Sequence, residues 1–351
     1  MELSQSTKDR IAPTWQIIAN KADITTQISE HFISLTLTDA VGLESDMLDI
    51  TLDDSDPDQP LLIPPEGAEL ELYLGYDGVN QYMGLFVFDE AELAGWPSQL
   101  VIRARAATYD KSKGGKTNLQ TQKNRSWKKG TTLGDMVKTI ATEHGMEAAV
   151  APSLATIALP HTDQSDESDI NLLVRMAKRY DAIIKPAAGK LILSKRGESR
   201  SVSGKPLPPV TITAGDCSSY RLVKSKRETA GMVVAYWHAV KNSKRNEVKV
   251  GQGEPVRRLR QYYPTEEMAL AAARAELTRR ERAQETLALS AVGDPGYLAE
   301  APLTTIGFRP DIDSRWLISR VTHSLDCSGG YVCDIEAEKP NSGTEPDVEL
   351  V

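Results

Sequence analysis

Apolar and polar residues alternate with a period of two through much of residues 12–106. The alternation is clearest at residues 33–38, 48–52, 68–76 and 100–105. A period of two places successive side chains on opposite faces of an extended chain, so each segment predicts a strand with one face on a core. Acidic or Pro/Gly-rich turns, such as Asp77-Gly78, separate the segments. Short strands at this spacing predict a small β-barrel or sandwich.

The middle of the chain has a helical pattern instead. Apolar residues at helical spacing predict one helix at Leu133, Met136, Val137, Ile140 and Ala141, and a second at residues 170–180. Thr132 with Asp135 predicts an N-terminal cap, and Gly145 predicts the C-terminal stop. A β-hairpin is expected over residues 182–193. The basic segment 101–130, with nine basic residues and one acidic residue, predicts a long loop before the helices.

Strands resume after a Ser/Gly/Pro-rich linker at residues 197–208. They are predicted at residues 210–213, 232–240, 286–292, 316–323 and 331–337, with one helix over residues 265–282 capped by Thr265. The fold class predicted is therefore α+β, mostly β, with two small β-barrel-like domains and an α+β insert between them. The predicted units are an acidic β-barrel domain (1–108), an α+β domain (109–200), a second β-barrel domain with one helix (201–340) and a flexible tail (341–351).

Charge is unevenly distributed along the chain. Residues 1–100 hold three basic and 19 acidic residues, although the whole chain has a net charge of only −8. Two interpretations stay open: an acidic domain surface that faces water, or different faces of the molecule that meet different partners. No apolar run is long enough for a membrane span, no secretory signal is expected, and three cysteines exclude a disulfide scaffold. Synthesis in a reducing cytoplasm is expected.

The sequence predicts no catalytic, cofactor or metal site. Gly114-Gly115-Lys116-Thr117 has Asp110 where a phosphate-binding loop requires glycine. His323, Cys327 and Cys333 lack the paired spacing of a zinc site, so Cys333 is predicted to be a packed thiol. Cys217 has no nucleophile motif around it.

Two basic segments, 111–129 and 221–260, are the features that would suit nucleic acid. Tyr236, Trp237, Tyr262 and Tyr263 lie in or beside the second segment, and aromatic side chains among cations can stack on bases. The acidic pI of about 5.3 argues against this use. Loops that contact an acidic protein partner explain the two segments equally well.

Three segments together resemble the phage late control D family, the baseplate hub proteins of contractile tails. They are Arg125-Ser126-Trp127 followed by residues 132–145, residues 161–182 with a Gln/Ser-Asp pattern opening a helix, and residues 316–323 followed by Gly330-Tyr331 and Ile335-Glu336. The order and spacing of the segments carry the resemblance, which spans residues 125–337.

The resemblance implies a structural protein of the virion, located in the tail baseplate. It implies similarity to the N-terminal region of type VI secretion spikes and a homotrimer whose two barrels per chain form a pseudo-sixfold ring. Such a ring joins a sixfold tail tube protein to a threefold tail spike protein, among other baseplate proteins. Part of the acidic charge of residues 1–100, including Asp53, Asp54, Glu69 and Glu71, is then expected to line a central passage, where it would repel passing DNA, or a surface that faces the tube. Whether DNA or an effector passes through the lumen stays open. Strands 68–76 and 331–337 are expected to pair between subunits, and no fused lysin domain is expected. The alternatives are a nucleic-acid-binding late-gene regulator and a tail-tip cell-wall hydrolase.

Overall fold

The computed structural model describes residues 12–42, 46–106, 118–187, 189–199, 205–225, 231–238, 245–328, 330–340 and 348–350. The Gly114–Thr117 motif, which was predicted not to bind phosphate, lies outside these residues. No helix in the described part of the chain has the length and apolar content needed to cross a bilayer.

Strands dominate the described chain. They are β1 (Pro13–Ala19), β2 (Ala22–Asp23), β3 (Phe32–Ala40), β4 (Met47–Asp53), β5 (Glu69–Tyr76), β6 (Val79–Ala94), β7 (Gln99–Ala106), β8 (Gln122–Trp127), β9 (Glu147–Val150), β10 (Thr162–Ser168), β11 (Ala182–Ala187), β12 (Lys190–Lys195), β13 (Val210–Thr213), β14 (Cys217–Lys224), β15 (Met232–His238), β16 (Arg245–Gly251), β17 (Val256–Tyr263), β18 (Glu285–Val292), β19 (Pro302–Ile306), β20 (Arg315–Asp326), β21 (Gly330–Glu338) and β22 (Val348–Leu350). The α-helices are α1 (Thr25–Ile28), α2 (Leu133–Glu143), α3 (Pro152–Ala155), α4 (Asp169–Arg179) and α5 (Glu266–Ala283).

The four alternating segments near the N-terminus form β3, β4, β5 and β7, as predicted. Their apolar faces meet in the core, where Leu35, Ile50 and Leu72 are buried. Asp77 and Gly78 both have positive φ and join β5 to β6 in a tight hairpin. A two-residue turn with positive φ at both positions is favoured here because its twist matches the right-handed twist of the two strands. The sequence analysis missed β1 and β6, and the sixteen residues of β6 contain two register shifts that break the alternation.

The two β regions predicted as separate barrels share one sheet. Thirteen described strands form it, and β20 joins β3 by antiparallel pairing in which Thr322 lies opposite Thr38. One hydrophobic core also spans both regions and includes Leu35, Leu289 and Trp316. The boundaries at residues 108 and 200 stay a prediction, but the β regions on either side of the insert pack as one continuous layer.

The α+β insert has its own core, built on α2 and α4. Thr132 caps α2 by accepting the Asp135 N–H at 3.0 Å, and Gly145 follows the helix with a φ of +69°, so both predicted ends are confirmed. The hairpin of β11 and β12 is confirmed as well. The prediction of a loop throughout 101–130 was wrong at residues 101–106, which belong to β7, and at residues 122–127, which pair with β10 as strand β8.

A third unit consists of α5 packed on a four-stranded sheet in the order β17-β15-β16-β22. Residues predicted to belong to the second barrel, including 232–238, therefore lie in a separate sheet. The predicted flexible tail is described only at Val348–Leu350, which pair antiparallel with β16. Backbone pairing holds this short segment in place, so the prediction of a frayed tail was wrong there.

Candidate functional site

His323 and Cys333 lie opposite each other on β20 and β21. The Cys333 Sγ atom is 3.1 Å from His323 Nδ1, and the Tyr331 hydroxyl is 2.8 Å from the same nitrogen. His323 Nε2 lies 3.1 Å from the Tyr297 carbonyl oxygen, which assigns the proton to Nε2 and leaves Nδ1 to accept. All three side chains are buried in the main core.

The surroundings keep this pair neutral. Burial raises the pKa of the Cys333 thiol to about 12 and lowers the pKa of His323 to about 4. A nucleophilic cysteine requires the thiolate, which is not populated at neutral pH in this environment. The prediction of a packed thiol at Cys333 is confirmed. Cys327 is exposed and does not join His323 and Cys333 as a three-ligand set among the described residues. Burial also raises the pKa of Cys217, to about 11.

Sequence reasoning missed a buried charged cluster in the insert. Asp169, at the first position of α4, has a fully buried side chain that accepts four hydrogen bonds. The donors are Lys123 Nζ and Arg125 Nη2 at 2.6 Å each, and His144 Nε2 and Gln164 Nε2 at 2.8 Å each. Burial acts to raise the pKa of Asp169, but the hydrogen bonds and the charge of Arg125 outweigh it and the pKa is lowered. Asp169 therefore stays ionised and ties β8, α2 and β10 to α4.

Glu143, His144 and Asp169 resemble a metal triad, because one donor atom of each lies within 4.8 Å of the others. Two fixed cations already neutralise this cluster. Lys123 Nζ is 3.1 Å from Glu143 Oε2, and Arg125 Nη1 is 2.7 Å from Glu143 Oε1. A divalent ion would be repelled by both cations, so the donor set fits an ion-pair network better than a metal centre.

The same contacts bear on the first basic segment. Lys123 and Arg125 point to carboxylates of the insert and do not lie free for phosphate. In the second segment, Lys224 pairs with Asp311 at 2.9 Å. The fold thus uses several of these cations internally, which weakens the nucleic-acid interpretation.

The aromatic residues of the second segment are also engaged. Trp237 and Tyr263 pack into the core beneath α5. On the opposite face of the sheet, the Arg245 guanidinium lies 3.7 Å from the centre of the Tyr236 ring, and Tyr262 stacks on His238 at 4.9 Å. Stacking of bases needs accessible ring faces; Tyr236 is buried, while Tyr262 is 49% exposed and has one face against His238.

A polar seam joins the insert to the rest of the molecule. Lys185 of β11 donates to Asp46 at 2.8 Å and to Asp39 at 3.3 Å, both in the N-terminal β region. Arg282 at the end of α5 donates to both oxygens of Asp181, at 2.7 and 2.5 Å, and lies 3.3 Å from Glu338 on β21. Arg282 therefore contacts all three units.

The seam contains two carboxyls with raised pKa values. Burial is the main cause for both, raising the pKa of Glu300 to about 7 and that of Asp46 to about 6. Glu300 Oε2 accepts the Gly197 N–H at 3.3 Å beside a cavity of about 290 Å³. Isoleucine and leucine side chains form much of the cavity wall. The paired charges and apolar walls suit rigid docking of the insert, and the seam holds no activated nucleophile.

Comparison with known proteins agrees with this structural character. The sequence profile of the phage tail baseplate hub (GPD) family matches residues 91–328. A probable baseplate hub protein of Escherichia phage 186 is 34% identical, over 97% of this chain and 96% of that protein. One of Escherichia phage P2 is 33% identical over the same shares.

Solved structures show the same fold at low sequence identity. A 43 kDa tail protein of prophage MuSo2 from Shewanella oneidensis matches with a TM-score of 0.70, 14% identity and coverage of 94% of this chain and 99% of that chain. The c3393 protein of E. coli, a type VI secretion system component, matches with a TM-score of 0.55, 12% identity and coverage of 90% and 76%. The matched residues span more than half of the chain, and the curated relatives exceed 30% identity along nearly all of it. The chain belongs to the phage tail baseplate hub family.

Proposed function

We propose that this protein is the structural hub of the baseplate of a contractile phage tail or tail-like particle. The observation that carries the proposal is 33–34% identity to two probable baseplate hub proteins along almost the entire chain. The neutral His323–Cys333 pair and the compensated Asp169 cluster support a structural role without catalysis. In this role the hub joins a sixfold tube to a threefold spike and contacts other baseplate proteins.

A homotrimer would supply the symmetry match, because three chains with two β regions each present six similar positions. The strands expected to pair between subunits need revision. Residues 69–76 form β5, which lies between β1 and β6, and residues 330–338 form β21, which lies between β18 and β20. Neither strand has a free edge. Strand β14 ends the main sheet and pairs only with β18 among the described strands, so it is the better candidate for pairing with a neighbouring subunit.

The face of the main sheet opposite the core supports a passage for DNA. Thr38, Thr322, Asp334 and Ser290 lie side by side on four neighbouring strands. These four side chains offer phosphate no cation, and Arg320, two residues from Thr322 on the same face, lies opposite Glu336. A lumen with such walls would therefore bind DNA only weakly. The proposed contribution of Asp53, Asp54, Glu69 and Glu71 to the same lumen stays a prediction.

The decisive experiment is co-expression with the spike protein of the same particle, followed by native mass measurement. Three copies of the 38.4 kDa chain per spike trimer are expected. Immunogold labelling of purified tails should place the chain at the baseplate. Two or six copies per spike would contradict the ring, and absence from purified particles would contradict the hub assignment itself.

A further inference from the structure

Two neighbouring segments at one end of the main sheet form a surface that we call the acidic tip. They are residues 53–66, which begin at the end of β4, and residues 89–98, which include the end of β6 and its turn to β7. Together they contain eight acidic residues and no lysine or arginine. The segments are joined because the Asp54 N–H donates to the Ser98 carbonyl at 3.0 Å, while Asp54 Oδ1 accepts the Leu61 N–H at 2.7 Å. The tip is therefore one ordered surface.

The acidic tip exposes large apolar side chains. Leu62 is 91% exposed and Trp96 is 93% exposed. A tryptophan at a hairpin end gains nothing from this exposure within the monomer, and exposed aromatic groups rimmed by charge are typical of protein interfaces. Part of the negative charge is used locally, since Arg103 pairs with Glu90 and Glu92 at 2.9 and 2.6 Å. Asp56 and Asp58 of the other segment are exposed.

A surface of opposite charge lies on the third unit, and we call it the cationic face. It consists of Arg258 and Arg260 on β17, with Tyr262 on the same strand and Arg245 on β16, and it lies opposite the sheet face that packs on α5. Strand β17 is the edge of its sheet and pairs only with β15 among the described strands. Arg258 and Arg260 are both exposed. Arg245 covers the ring of Tyr236, while Tyr262 is 49% exposed and stacks on His238. The exposed guanidinium groups of this face suit carboxylates of a protein partner.

We infer that the acidic tip of one copy binds the cationic face of the next copy in the hub ring. The inference rests on the proposed trimer. A head-to-tail ring requires two different surfaces that complement each other and lie apart on one chain. The tip lies at the ends of β4 and β6 in the main sheet, and the cationic face lies on a separate sheet. Asp56 and Asp58 can pair with guanidinium groups in bidentate geometry, and Trp96 supplies the apolar contact at the centre.

Exchange of charge between the two surfaces tests the inference. The variants are the double variants D56K/D58K and R258E/R260E and the quadruple variant that combines them. Each is introduced into cells that express the complete tail gene cluster. Purified particles are counted, and the copies of this chain per particle are measured. The matched control is K128E/K129E, which makes the same charge change as R258E/R260E on exposed residues of the insert. The thermal midpoint of each purified variant checks that its fold is intact.

Each double variant, D56K/D58K or R258E/R260E, is expected to lower the yield of particles containing the chain by at least about tenfold, because like charges then face each other. The quadruple variant should restore most of the yield, while the control K128E/K129E should match the wild type. A double variant that assembles as well as the wild type would overturn the inference. A combination that folds but restores nothing would overturn it too. If the wild-type chain itself is missing from particles, the proposed function fails instead.

Discussion

Arg282 offers a direct test of how the three units are held together. Its side chain is only 2% exposed and donates two hydrogen bonds to Asp181 in the insert while contacting Glu338 in the main sheet. Replacing it with leucine would leave the Asp181 carboxylate, itself 14% exposed, without a cation. Removal of one member of a buried ion pair costs about 3–5 kcal/mol. The lower end applies here, since Glu338 keeps Arg196 at 2.9 Å.

We therefore expect Arg282→Leu to lower the free energy of unfolding by about 3 kcal/mol, measured by urea denaturation. For 351 residues unfolding together, this corresponds to a fall of about 4 °C in Tm. The control is Arg279→Leu on the same helix, where the side chain is 44% exposed and the loss should stay below about 1 kcal/mol. The double variant Asp181→Asn/Arg282→Leu should be more stable than Arg282→Leu, because no unpaired charge remains and asparagine tolerates the positive φ of position 181. Equal losses for Arg282→Leu and Arg279→Leu would refute the reasoning.

Three further predictions concern buried groups. The pKa of Glu300 is raised from 4.5 to about 7, so its contribution to stability is fully present below pH 4.5 and is lost as the pH rises through 7. The variant Glu300→Gln should remove this loss and raise the free energy of unfolding by at most about 3 kcal/mol at pH 8. Urea titrations in which both proteins lose stability with the same pH slope would contradict this prediction. Maleimide labelling of the native protein should modify exposed Cys327 readily and leave Cys333 unmodified until denaturant is added, because burial suppresses the Cys333 thiolate. Rapid modification of Cys333 in the native protein would show that the core around His323 and Cys333 is accessible to solvent and would contradict this prediction. Gly293→Ala should lower the free energy of unfolding, measured by urea denaturation, by about 2 kcal/mol or more, since the added Cβ would lie 2.2 Å from the Tyr331 ring. In the control Gly215→Ala the nearest contact of the added Cβ is 3.8 Å, so the loss should be much smaller.

The sequence alone determined the local elements with strong periodicity. Helices α2, α4 and α5 and the alternating strands β3, β4, β5 and β7 were predicted near their observed positions. These elements share a cause: their apolar spacing and capping residues act within a few neighbours along the chain. Strand β17 was missed because its arginines alternate with few apolar residues, and β8 was missed because its polar sequence becomes a strand only by pairing with β10.

Tertiary structure decided which elements meet. The pairing of β20 with β3 joins residues nearly 300 positions apart. The alternation within each strand indicates only that one face is apolar; it does not indicate which strand lies beside it. The Asp169 cluster draws its donors from β8, α2 and β10, and Arg282 finds Asp181 about a hundred residues away. A buried charge is stable only when its partners surround it in space. The local pattern therefore specified the strands and helices, while the three-dimensional packing of distant charges and sheet edges decided how the units dock.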